Sequence, residues 1–69
     1  MDTKTLKIYY DYTAGYGIDV TYDYKGERHY DYFSSFVKFN TWVSMEFSGA
    51  ETVEITDSNY PQLIEQGCI

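Results

Sequence analysis

The sequence holds one cysteine, one proline, one histidine and one tryptophan among its 69 residues. Each scarcity excludes something. A lone thiol, Cys68, closes no internal disulfide, so the chain is not a stapled secreted scaffold. His29 and Cys68 form a nucleophilic pair only if the tail folds back onto the strand that carries the histidine. Basic residues are also few, five Lys plus Arg against eleven Asp plus Glu, for a net charge of −6. Affinity for phosphates comes from Lys and Arg displacing counterions, so direct binding of nucleic acid is not expected. The same sign favours a basic protein surface, because complementary fields steer encounter. No run of about 18 apolar residues is present, and MDTKTLKIYYDY lacks a basic segment followed by an apolar stretch. The expectation is a soluble, cytoplasmic protein with no membrane partner.

Motifs of catalysis, metal binding and nucleotide binding are missing as well. The glycines of Ala14-Gly15-Tyr16-Gly17 stand between two strand patterns, whereas a phosphate-cradling loop opens onto a helix N-terminus. No ligand spacing resembles an EF-hand. Asp11 and Asp19 sharing a proton would need a cleft that excludes water, which an exposed sheet face does not offer. A chain without enzymatic activity, cofactor or metal is therefore expected.

What the sequence has in quantity is aromatic surface: nine Tyr, four Phe and the Trp make up 20% of it. A chain this short forms one domain, residues 1–69, with a thin stability margin, and large rings reinforce its core. The triplet Tyr-Asp-Tyr occurs at residues 10–12, 22–24 and 30–32, each time within an alternating segment. Leu6, Ile8, Tyr10 and Tyr12 alternate with Lys7, Tyr9 and Asp11 over Thr5 to Thr13, and Ile18, Val20, Tyr22 and Tyr24 alternate with Asp19, Thr21 and Asp23. Period two predicts strands, and the Gly-rich stretch between them predicts a hairpin.

A turn at Lys25-Gly26-Glu27 leads to a third strand, Arg28 to Phe33. If Tyr12 faces Ile18 and Tyr24 faces Arg28, then Tyr22 lies opposite Tyr30 and Asp31 opposite Thr21. Every triplet then sends its tyrosines to one face and its aspartate to the other. On the aspartate face Asp11 lies opposite Asp19, and like charges so placed weaken a sheet. Asp11, Asp19, Asp23 and Asp31, with Tyr9, are the candidate partner-binding residues on that face. A purely solvated face is the alternative.

Ser34 to Phe47 has apolar residues at both strand and helix spacing. Length, a Ser pair for an N-cap and Gly49 past the end select helix. On it Trp42 and Met45 fall away from Phe36 and Val43, so Trp42 is either a surface anchor for a partner or packs beneath the end of the chain around Tyr60 and Leu63. Glu51 to Thr56 reads as a strand. Asp57-Ser58-Asn59 begin a short helix with Pro61 in its first turn and with Leu63 and Ile64 inward. These anchor the chain to about Gln66 and leave Cys68 at a fraying end.

The order β-β-β-α-β-α predicts an α+β two-layer sandwich: a mainly antiparallel four-stranded sheet, one helix across one face and a short C-terminal helix. A right-handed crossover places the fourth strand parallel beside the first, in the spatial order 3-2-1-4. The helix then covers Leu6, Ile8, Tyr10, Ile18, Val20, Tyr22 and Tyr30.

With 69 residues, strong acidity, this layout, and carboxylates at Asp11, Asp19, Asp23 and Asp31, the chain resembles the small acidic inhibitors of bacteriophages and mobile elements, of the anti-CRISPR and DNA-mimic type. The resemblance implies a monomeric or dimeric inhibitor acting in the cytoplasm of a bacterial host. It would occupy the basic nucleic-acid-binding surface of a defence complex, with carboxylates standing in for phosphates. An assembly subunit that forms a homo-oligomer through an exposed patch around Trp42 is the alternative from a different class.

Overall fold

The computed structural model describes residues 6–69; Thr5, where the sequence pattern begins its first strand, lies outside the described residues. The elements are β1 (Lys7–Thr13), β2 (Gly17–Tyr24), β3 (Glu27–Phe33), α1 (Phe36–Glu46), β4 (Glu51–Glu54) and α2 (Tyr60–Glu65). The strands lie in the order β3-β2-β1-β4, with β4 parallel to β1 and the other pairs antiparallel. This is the expected α+β architecture, down to the strand order.

The first hairpin has the expected register, with Tyr12 opposite Ile18, Tyr10 opposite Val20 and Asp11 opposite Asp19. Its loop ends at Gly17, whose φ of +133° is one that side chains rarely adopt. A Cβ there would stand 2.6 Å from the Tyr32 hydroxyl and 2.8 Å from the Phe33 carbonyl oxygen. Glycine is what lets the third strand close over this corner.

The second hairpin departs from the expectation by one residue. Lys25 and Gly26, with φ of 53° and 80°, are the two central residues of a type I′ turn. Tyr24 therefore pairs with Glu27, Tyr22 with His29, Thr21 with Tyr30 and Val20 with Asp31. Because side chains alternate with period two, shortening the loop by one residue inverts the whole third strand. Tyr30 and Tyr32 stand on the face away from α1, with Tyr30 72% exposed, and Asp31 stands on the α1 side. Asp31 tolerates this because β3 is an edge strand. Its carboxylate stays in solvent and accepts a hydrogen bond of 3.3 Å from the Tyr22 hydroxyl.

The main core is Ile8, Ile18, Val20 and Tyr22 from the sheet and Phe39 from α1. The covering stripe of α1 is Phe39, Trp42 and Val43, continued by the C-capping Phe47, at positions i, i+3, i+4 and i+8. Trp42 thus packs, half-buried, on the sheet side of α1 and not beneath the C-terminal helix. Its ring lies 5.0 Å from Phe33 and 5.4 Å from Tyr22, inside the sandwich. Val37, by contrast, faces solvent, as Met45 does. At the helix start the Ser35 hydroxyl accepts the Lys38 N–H at 3.3 Å, as the Ser pair predicts.

The end of the chain returns to the opposite face of the sheet. Asn59 ties it to the end of β4: its side chain accepts the Thr56 N–H at 2.7 Å and donates to the Glu54 carbonyl at 2.8 Å. The chain then crosses the outer face, where Tyr9 and Leu63 are buried outside the main core.

Candidate functional site: the outer face of the sheet

That crossing divides the outer face into a covered half and an open half. In the covered half, Arg28 pairs with Asp23 directly across the strands and also donates to the Gly67 carbonyl at 2.8 Å. The Cys68 N–H donates to the Leu63 carbonyl at 2.9 Å, and its thiol donates to the Gln66 side-chain carbonyl at 3.9 Å in the same cleft wall as the Tyr9 ring. The tail is therefore docked, and Cys68 is half-buried rather than frayed. Tyr9, at 8% exposure, is structural, and Asp23 is already neutralised by Arg28, which holds its carboxyl below the usual range.

Burial pushes the Tyr9 phenol up to about 12 from an ordinary 10.0, reinforced by the neighbouring Cys68 thiol and by the nearby Glu51 and Asp23 carboxylates. A phenol raised in the folded state stabilises the fold fully below pH 10, and that contribution is lost as pH rises through about 12. In an ultraviolet titration, Tyr9 should give a late step near pH 12, with release of the tail. Tyr9→Phe should remove that last step. A titration complete by about pH 11 in the parent would contradict the docking.

The open half carries Asp11, Asp19, Tyr30 and Tyr32, with Tyr16 from the adjoining loop. Asp19 sits between Asp11 on one neighbouring strand and Tyr32 on the other. The Tyr16 hydroxyl donates to the Asp19 carboxylate at 3.1 Å, and this bond raises the phenol's pKa. The Tyr32 hydroxyl in turn donates to the Tyr16 carbonyl, and the two rings meet edge to face at 5.2 Å. These contacts hold Asp19 and its flanking rings in place. Asp11 has no hydrogen-bond donor among the described residues, where the one ion pair is that of Asp23 with Arg28.

Of the six residues singled out from the sequence, the structure brings together Asp11 and Asp19. Tyr9 lies under the tail with the exposed Asp23 beside it, Asp31 is on the other face and Trp42 is half-buried against the core. The missed residues are Tyr16, Tyr30 and Tyr32. Phe33 shares its parity with His29 and Asp31, but both faces of this edge strand carry aromatic residues, so alternation alone does not place Tyr30 and Tyr32, and Tyr16 lies in the loop.

A cleft of about 660 Å³ adjoins the tail, with Lys7, Tyr9, Lys25 and Cys68 in its wall. It holds no nucleophile and base in partnership. His29 stacks on Tyr22 on the far side of the sheet, with the centroids 5.1 Å apart, so the tail does fold back, but onto the face away from the histidine. Among the described residues no three His, Cys, Asp or Glu side chains gather as a metal site, and no helix is long and apolar enough to cross a membrane. Comparison with protein families, with curated proteins and with solved structures finds no match for this chain.

Proposed function

We propose that this is a non-enzymatic binding protein whose open sheet half, formed by Asp11, Asp19, Tyr16, Tyr30 and Tyr32, engages a basic protein surface. In its narrowest form the proposal is an inhibitor that occupies the nucleic-acid-binding surface of a host defence complex. One observation carries it. Two carboxylates face each other across β1 and β2 without a basic partner among the described residues, on a surface that costs stability as it stands. A guanidinium or ammonium group arriving between them relieves that repulsion. The flanking tyrosines supply rings for cation–π contact and hydroxyls for hydrogen bonds, the residue chemistry of interface hot spots. The alternative of an assembly subunit built on a Trp42 patch is less favoured, since Trp42 is half-buried against Phe33 and Tyr22.

The test is competition. Labelled duplex DNA bound to a CRISPR effector complex is titrated with the protein and followed by fluorescence anisotropy. Displacement that weakens severalfold between about 50 and 300 mM salt is expected, because exposed charges are screened over about 8 Å at physiological ionic strength. Displacement independent of salt would mean that the contact is not electrostatic. No displacement from any such complex would remove the inhibitor reading.

A further inference from the structure

The free edge of β3 points to a second copy of this chain as its partner, and we infer that the protein forms a two-fold dimer by antiparallel pairing of β3 with β3. This inference is independent of the proposed function. It starts from which backbone groups are unpaired. The Glu51 N–H donates to the Leu6 carbonyl and the Ile55 N–H to the Tyr10 carbonyl, so the even-numbered residues of β1 aim their backbone groups at β4 and the odd-numbered ones at β2. In an antiparallel ladder both groups of a residue point to the same side. Following the register from Tyr9 with Thr21 to Val20 with Asp31, Glu27, His29, Asp31 and Phe33 bond to β2. Arg28, Tyr30 and Tyr32 are left aiming their N–H and C=O groups outward. None of these outward groups has a partner among the described residues.

An unpaired edge of this length is a template for another strand, and proteins usually blunt such edges. A closed dimer presents the same patch from both copies, which makes the pairing antiparallel. The outward residues must then meet one another. Centred on Tyr30, the pairing sets Tyr30 against Tyr30 of the second copy and Arg28 against Tyr32. These three residue pairs each exchange both backbone hydrogen bonds. Arg28 beside a tyrosine ring is a cation–π contact. Between them, in the closely spaced positions, His29 meets Asp31 twice by symmetry, as imidazole N–H to carboxylate.

The neighbouring registers of the same parity are unfavourable. A shift one way sets His29 against His29 and Glu27 against Asp31, and a shift the other way sets Asp31 against Asp31. The edge is thus self-complementary in one register, which also explains why Asp31 on the α1 side is an asset. The outer faces of both copies then form one continuous surface, with the two open halves meeting at Tyr30.

Sedimentation velocity of the full chain under reducing conditions, from about 10 μM to 1 mM, the range expected for a small interface, should show monomer passing to dimer. Tyr30→Pro deletes a donor that the β2 ladder does not use, so it should keep the parental circular dichroism and weaken the dimer at least about tenfold. His29→Asp sets carboxylates opposite each other twice and should also weaken the dimer about tenfold. The interchange His29→Asp with Asp31→His should restore it to within about threefold of the parent. A chain that stays monomeric at 1 mM would overturn the inference. So would a parental dimer in Tyr30→Pro, or an interchange no better than His29→Asp alone. Should Tyr30→Pro fail to fold, the interchange series decides.

Discussion

Phe39→Ala should leave the chain largely unfolded at 37 °C. Phe39 is 1% exposed and is the buried residue that α1 contributes to the main core, with rings of Tyr10, Phe33 and Trp42 at centroid distances of 5.2, 5.8 and 6.3 Å. Truncating a buried Phe to Ala costs about 3–5 kcal/mol, because the cavity collapses only in part. A domain of this size has roughly 3–10 kcal/mol in all. At about 4–8 °C per kcal/mol, the melting temperature should fall by about 12–40 °C or the transition should vanish. Val37→Ala, two residues away and 75% exposed, should stay within about 0.5 kcal/mol of the parent. Thermal melts followed by circular dichroism decide it. Equal effects of the two substitutions would mean that α1 meets the sheet with a different face.

The other large effect concerns binding. Reversing both Asp11 and Asp19 to Lys should weaken displacement of DNA from the target complex by about 100-fold or more, mainly through slower association, because attraction on an open face becomes repulsion. Folding should survive, since both side chains are exposed and neither contributes to the core. The same reversal at Asp31, on the opposite face, should change displacement by no more than about twofold in the monomer. A larger loss at Asp31 than at Asp11 and Asp19 would move the interface to the α1 side.

Most of this fold is legible in the sequence, because alternation in β1 and β2, the length of α1 and the crossover to β4 each leave few ways to assemble. What escapes depends on single residues. One loop residue, Glu27, decides which way the third strand faces, and at an edge both faces of Arg28 to Phe33 carry aromatic and charged side chains, so alternation does not arbitrate. Lys25-Gly26 acting as a two-residue turn is the missing term. A stripe through Phe36 and Val43 that omits Phe39 sets Trp42 apart, whereas Trp42 packs beside Phe39. The docking of the tail on Tyr9 and Arg28 joins residues far apart in the chain, and no local pattern announces it. The site inherits these errors: Asp11 and Asp19 were found through the first hairpin, and the tyrosines beside them were hidden by the second.

The proposed interface requires that the opposition of Asp11 and Asp19 be kept at the expense of stability, and Asp11→Asn tests this directly with two readings on one sample. Removing the like-charge pair should raise the melting temperature by about 2–6 °C, the equivalent of some 0.5–1 kcal/mol. The same variant should displace DNA from the target complex severalfold less well. A melting temperature that falls, together with unchanged displacement, would contradict the claim and return the carboxylates to an ordinary solvated surface.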